Sequence, residues 1–174
     1  MIEAAILIVF PFAMAFAAMS DLLSMTIQNR VSIILIATFA ALAPFTGMGW
    51  DVYAIHFAAG AVVLCATFGL FAAGIMGGGD AKLMTATAIW MGWNVELASY
   101  FISLSLIGGL LAIAILKYRS STVTLAYASR IGFLRRLGDA KEGVPYGLAL
   151  GLAGLLIFPS SPLGIWVIDR LATV

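Results

Sequence analysis

The chain has 174 residues, of which 63% are hydrophobic and 10% charged, with nine basic and eight acidic side chains. Soluble domains carry roughly a quarter charged residues, so this composition and a mean hydropathy of +1.12 exclude a water-soluble globule and point to a membrane protein. The net charge of +1 carries no signal for nucleic acid, and none is expected as a partner.

In chain order, the first apolar run covers residues 4–20. Ala15-Phe16-Ala17 has the look of a signal-peptidase site, but a secretory signal opens with a basic region, and the only early charge here is Glu3. The run is therefore read as a retained first transmembrane helix, ending at Asp21. Further apolar helices are predicted near 31–46, 52–75, 81–93, 97–117 and 144–158 from the rule that about 20 apolar residues cross hydrocarbon. His56, the only histidine, lies within 52–75 and is read as packed. Cys65, the only cysteine, lies in the same run; it can form no internal disulfide or multi-cysteine zinc site, and burial by packing is its expected role. The segment 81–93 is short enough to be re-entrant. After Pro159-Ser160-Ser161-Pro162, an apolar tail reaches 174 as a short seventh segment or an interfacial piece. The expectation is an all-α, polytopic membrane bundle of about six transmembrane helices, one domain over residues 1–174.

Charge orients it. With six crossings and the N-terminus outside, Arg30, Lys82, Lys117, Arg119, Arg130, Arg135, Arg136 and Lys141 fall on one side and only Arg170 on the other. That bias marks the inner side, and a re-entrant 81–93 would spoil it. Asp21 and Asp80 then both lie at cytoplasmic helix ends. The 118–142 loop interleaves Leu125, Tyr127, Ile131, Phe133, Leu134 and Leu137 with Arg130, Arg135 and Arg136. It reads equally as a helix lying on the inner leaflet or as a plain topology-setting loop.

Ionisable groups at membrane depth are costly and mark function by default. Asp80 follows Gly77-Gly78-Gly79. Asp80 as an N-cap of the next helix, with Lys82 as its ion partner, is the plain alternative. One cap does not require three glycines, whereas bare backbone lets an extended substrate approach a carboxylate. Two carboxylates sharing one proton can activate water and protonate a scissile carbonyl with no metal ion or cofactor. The sequence contains no Gly-x-Ser-x-Gly, His-Glu-x-x-His or phosphate-binding Gly-x-x-x-x-Gly-Lys motif.

These residues also carry a resemblance. Gly77-Gly78-Gly79-Asp80-Ala81-Lys82-Leu83 resembles the Gly-x-Gly-Asp-x-Lys-Leu signature of the prepilin leader peptidases, a branch of the GxGD aspartic proteases. Ser20-Asp21-Leu22, followed by Ile27-Gln28-Asn29-Arg30, resembles that family's first aspartate segment, with Gln28 where many relatives have proline. Val144-Pro145-Tyr146-Gly147-Leu148-Ala149-Leu150-Gly151 resembles its C-terminal helix start. The likeness covers residues from about 20 to 151 and implies Asp21 and Asp80 as the catalytic pair. It implies Gly77, Gly78, Gly79, Lys82, Asn29, Pro145, Tyr146 and Gly147 as the substrate-binding set, although 144–151 reads as readily as a Pro-started, Gly-packed helix. The implied substrates are type IV prepilin or pseudopilin precursors, cut at the cytoplasmic face between a basic leader and an apolar helix. The implied setting is the bacterial inner membrane, with lipid and the pilus assembly machinery as further partners. One cysteine leaves no place for the zinc insert of the large methylating members, so the chain resembles the compact branch accompanying Flp/Tad pili, with no N-methyltransferase activity expected.

Two other readings use the same residues. A small proton- or cation-coupled transporter would employ the two acids as a relay and the glycines as a helix break; it calls for acids near the midplane and an internal repeat, neither of which the sequence offers. An inactive assembly scaffold is the other.

Overall fold

The structure, a computed structural model, describes residues 1–121, 132–139 and 143–173. The helices are α1 (Ile2–Ser24), α2 (Asn29–Leu42, running into a 3-10 turn at Ala43–Thr46), α3 (Trp50–Ala72), α4 (Gly78–Met91) and α5 (Val95–Ser120). They are followed by α6 (Gly132–Gly138), α7 (Tyr146–Ile157, extended by a 3-10 turn at Phe158–Ser160) and α8 (Pro162–Ala172). No strand occurs among the described residues. The all-α bundle expected from the sequence is the architecture observed, and each of the six predicted apolar segments is a helix.

Among the described residues, four helices are long and apolar enough to cross a membrane: α1, α2 with its 3-10 turn, α3 and α5. The α7 segment and α8 pass together as a fifth span bent by 49°. Of the six predicted segments, α4 is the one that falls short by length. Its 14 residues reach about 21 Å at 1.5 Å per residue, short of about 30 Å of hydrocarbon. It compensates by being central: every residue from Leu83 to Met91 is buried, with α3, α2 and α7 packed around it. Lipid never meets its backbone. The Thr85 and Thr87 hydroxyls donate to Ala81 O and Leu83 O one turn back, at 2.8 and 2.9 Å, so neither is left bare in the core.

Aromatic rings fill the far half of the bundle. Phe10 of α1 packs against Trp90 and Phe158 at centroid distances of 4.8 and 4.7 Å, and the Trp90 indole N–H donates to Leu35 O of α2 at 2.9 Å. His56 is packed, as expected. It stacks on Phe39 at 4.9 Å, its Nδ1 lies 2.7 Å from Ile89 O, and it covers Gly92, whose φ is +75°. A methyl group at Gly92 would sit 2.7 Å from the ring. The histidine thus engages one of the carbonyls that the end of α4 would otherwise leave unpaired.

Glycines set how closely α7 meets α1. A Cβ at Gly151 would lie 2.6 Å from Met14 O and 2.7 Å from Ala18 Cβ; one at Gly154 would strike the Met14 thioether methyl. With Gly147, these positions form the small-residue stripe that close helix pairs in membranes use. At the same end as the start of α1, Arg170 of α8 pairs with Glu3 at 3.5 Å and lies over the Trp166 ring. These contacts tie the tail to the end of the bundle where α1 begins.

Two expectations are corrected. Cys65 is exposed on the outer face of α3 rather than buried, because α3 faces α4 with the stripe of Ala59, Gly60, Val63 and Thr67. Helix α4 begins at Gly78 rather than 81, because glycines without positive φ can join a first turn. Within the basic loop, α6 is anchored to protein: Tyr118 OH donates to Leu134 O, and Arg119 Nε to Leu137 O, at 3.0 and 2.8 Å. Leu137 is buried and Arg136 donates to Leu23 O at 3.3 Å. Leu125, Tyr127, Arg130, Ile131 and Lys141 lie outside the described residues, as does the Phe133 side chain.

The α1–α7 contact gives a stability test. Gly151→Ala opposes a backbone carbonyl that cannot move, whereas Gly154→Ala opposes the end of a flexible methionine. Overpacking costs about 1–3 kcal/mol. Thermal unfolding of the purified protein should show the larger drop in midpoint for Gly151→Ala and a smaller one for Gly154→Ala. Equal midpoints would remove the distinction.

Candidate active site

Helix α1 ends in a tight turn that the sequence encodes with small hydroxyl residues. Met25 takes a left-handed conformation (φ 53°, ψ 31°), and its N–H donates to Asp21 O at 2.8 Å. Ser24 Oγ donates to Ser20 O, and Ser20 Oγ to Thr26 O, at 2.6 and 2.9 Å. The turn folds Ile27 back beneath the last turn of α1, and α2 then leaves from Asn29.

Asp21 sits on the buried side of that last turn, with 6% of its surface exposed. Its Oδ2 accepts the Gly147 N–H at 2.6 Å. Gly147 lies in the first turn of α7, where backbone N–H groups have no intrahelical partner and the helix dipole favours an anion. A Cβ at Gly147 would lie 2.7 Å from Asp21 Cβ, 2.8 Å from its Cγ and 2.7 Å from Ile27 Cδ1. The approach requires glycine. Pro145 holds the N-cap position of α7, where a missing N–H is no loss.

Asp80 is not the N-cap of α4. Gly77 occupies that position, and Asp80 is the third helical residue, its carboxyl reaching back to the Gly77 N–H. None of Gly77, Gly78 and Gly79 has positive φ; the left-handed glycine of this turn is Gly74 (φ +72°). Bare backbone is what the run supplies. A Cβ at Gly77 would lie 2.9 Å from Asp80 Oδ2, and one at Gly79 3.1 Å from Ile27 Cβ and 3.3 Å from Ile27 O. At Gly78 it would meet only the Phe71 ring, at 3.2 Å.

The two carboxyl groups are close enough for their charges to interact, and they line one cavity of about 230 Å³ with Met25, Thr26, Ile27 and the three glycines. That volume holds several waters at about 30 Å³ each. A larger cavity of about 540 Å³ opens on the other side of Asp80, bordered by Met76, Met84, Gly143, Val144, Tyr146 and Leu150 among others. Asp80 therefore faces both spaces. Both acids sit at helix ends rather than at mid-span, away from where a relay across the bilayer would need them.

The remaining residues expected at the site divide into two groups. Tyr146 lines the larger cavity, and Gly77, Gly78 and Gly79 line the smaller. Lys82 and Asn29 pair with each other: Lys82 Nζ donates to Asn29 Oδ1 at 2.9 Å, joining the starts of α2 and α4. Lys82 is thus engaged with an amide rather than with Asp80. The residue not singled out as a site residue is Ile27, which packs against both Gly79 and Gly147; its signal was its place within the first aspartate segment. Among the described residues, no three His, Cys, Asp or Glu side chains come together as a metal-binding group.

Residues 8–113 match the model of a protein family described as the type IV leader peptidase family. Neither a curated protein nor a solved structure matches the chain. The matched range contains Asp21, Ile27, Asn29 and the Gly77–Lys82 segment. Gly147 lies beyond it and joins the site through the fold.

The glycines divide by what their missing Cβ atoms would touch. Gly147→Ala should displace Asp21 and lower peptidase rate about a hundredfold, the scale of a roughly 1 Å misplacement. Gly77→Ala and Gly79→Ala should each lose at least about tenfold, or ~1.4 kcal/mol, and Gly78→Ala less than either. Rates are read per amount of folded protein in the membrane; uniform, near-wild-type values across all four would show that close backbone approach is not what these positions supply.

Proposed function

The chain belongs to the type IV leader peptidase family, and from that premise we propose that it is an aspartic endopeptidase cutting type IV prepilin or pseudopilin precursors, with Asp21 and Asp80 as the catalytic pair. The observation that carries this reading is the shared cavity: two carboxyl groups from distant parts of the sequence line one space with room for several waters.

The chemistry uses this chain's own groups. One carboxylate takes a proton from water as the oxygen attacks the scissile carbonyl carbon. The other, protonated, donates to the carbonyl oxygen. As the tetrahedral diol collapses, the carboxyl that took the water's proton gives it to the departing amine nitrogen, the C–N bond breaks, and a diol hydroxyl returns its proton to the other carboxylate. The pair returns to its single shared proton. The Gly147 N–H fixes one oxygen of Asp21, so that carboxyl needs little reorganisation. The bare edge of Gly77–Gly79 gives an extended substrate backbone room to lie beside Asp80.

The substrate class follows from the family. The short stretch from Asp21 to Arg30 leaves no room for a cysteine-rich insert, which supports the Flp/Tad branch and cleavage without N-methylation. Charge supports a cytoplasmic site in the bacterial inner membrane. Lys82, Lys117, Arg119, Arg135 and Arg136 cluster at the aspartate end, and Arg170 lies at the other beside Glu3, the asymmetry expected of a cytoplasmic face. A central α4 sheathed by its neighbours supports counting it as the sixth crossing despite its length.

Two experiments test this. Asp21→Asn and Asp80→Asn keep the shape but remove proton transfer, so each should reduce cleavage of a co-expressed precursor by at least about a hundredfold, scored by mobility shift at equal membrane abundance. Near-wild-type processing by either variant would remove that residue from the mechanism. For topology, cysteines placed at Ser121 and Gly49 in a Cys65→Ala background should be labelled by an impermeant thiol reagent from opposite sides of the membrane. Labelling of Ser121 from outside would overturn the cytoplasmic assignment.

A further inference from the structure

A groove of about 670 Å³ runs between α3 and α5. It exists because α5 packs chiefly on α7 and only slightly on α4, so that α5 stands apart from α3. Val62, Ala66 and Leu70 of α3 form one wall, Ala98 and Phe101 of α5 the other, with Met84 of α4 between them. Its outer end is marked by Trp93 and Asn94. Away from that end, Thr67 is the one polar residue of the lining, and its hydroxyl donates to Val63 O at 2.8 Å. Asn94 Oδ1 caps α5 by accepting from the Glu96 and Leu97 N–H groups at 3.2 and 3.3 Å. The groove is built for an apolar occupant.

Its inner end decides which. Met76 and Met84 line this groove and also the 540 Å³ cavity that borders Asp80, so the two spaces meet at these flexible side chains. A second apolar cavity, about 350 Å³ between α1 and α2 around Phe16 and Ile34, shares no lining residue with either aspartate cavity. We infer that the α3–α5 groove seats the apolar transmembrane helix of the precursor, placing the helix end beside Asp80. This rests on the peptidase reading above.

Three physical arguments support a helix there. A substrate within hydrocarbon must satisfy its own backbone, so its membrane segment arrives helical. The groove flanks the far part of α4, from Met84 past its end to Trp93, a length of about 14 Å at 1.5 Å per residue, which accommodates two to three turns of another helix. Ala66 and Ala98, both exposed to the groove, let another helix approach closely, and Met76 and Met84 adapt to different side chains where the groove meets the site.

The test uses a precursor whose cleavage by the wild-type chain is first demonstrated. A photoreactive benzoylphenylalanine replaces Ala98 or Phe16 in full-length Asp80→Asn protein, and the precursor is co-expressed. The expected result is a precursor adduct from position 98 and none from 16. Adducts from 16 alone, or only lipid adducts from 98, would overturn the assignment. Independently, Ala66→Trp and Ala98→Trp should fill the groove and lower cleavage at least tenfold through KM. Leu110→Trp, on the exposed face of α5, should leave it unchanged. Wild-type rates for both groove variants, at normal abundance, would likewise overturn it. If the wild-type chain cleaves no precursor while remaining folded in the membrane, the peptidase reading fails first and the groove assignment falls with it.

Discussion

A fourteen-residue helix cannot expose its ends to hydrocarbon, and the arrangement of the other helices follows from that constraint. Four carbonyls at one end of α4 and four N–H groups at the other lack intrahelical partners, and in lipid each would cost several kcal/mol. The structure satisfies the two ends differently. At the outer end, His56 engages Ile89 O and seals the space above Gly92. At the inner end the chain stays open, and Asp80 reaches back to Gly77 at the edge of a polar cavity. The two ends of α4 therefore differ: one is closed over by protein, and the other borders a cavity that Asp80 shares with Asp21.

The inner end has a second helix start in the same place. Gly147, at the beginning of α7, presents its N–H to Asp21, so each aspartate meets the N-terminal backbone of a helix other than α1. The Gly147 contact orients the Asp21 carboxyl through backbone rather than through a charged side chain. Ile27 ties the two starts together: Gly79 and Gly147 both press against it. The spacing between the carboxyls is therefore set by one apolar side chain and two absent methyl groups.

Composition and apolar run length made the helical bundle legible, since those features respond directly to the bilayer. The acids were legible because charge in such a chain is rare. Gly147 was less so. Its helix start was visible in Pro145-Tyr146-Gly147, but whether it touched substrate or packed against protein depended on contact with a residue 126 positions away. The mutual hydrogen bond of Lys82 and Asn29 was not legible either, because it required knowing that the starts of α2 and α4 are neighbours. Cys65 misled because an apolar run looks the same whether its residues face protein or lipid; only the three-dimensional neighbours of α3 distinguish them. The length of α4 was readable, but its solution, a full protein sheath, was not.

The His56 contact also governs how the bundle can deform. With its ring between Phe39 and Gly92 and its nitrogen on Ile89 O, α3 and α4 are locked at the outer end and share the most extensive helix pairing in the fold. They form a single stiff plate. The seam where α5 merely brushes α4 is then the compliant line of the molecule, and any breathing of the bundle will widen it there, leaving the geometry around α4 intact.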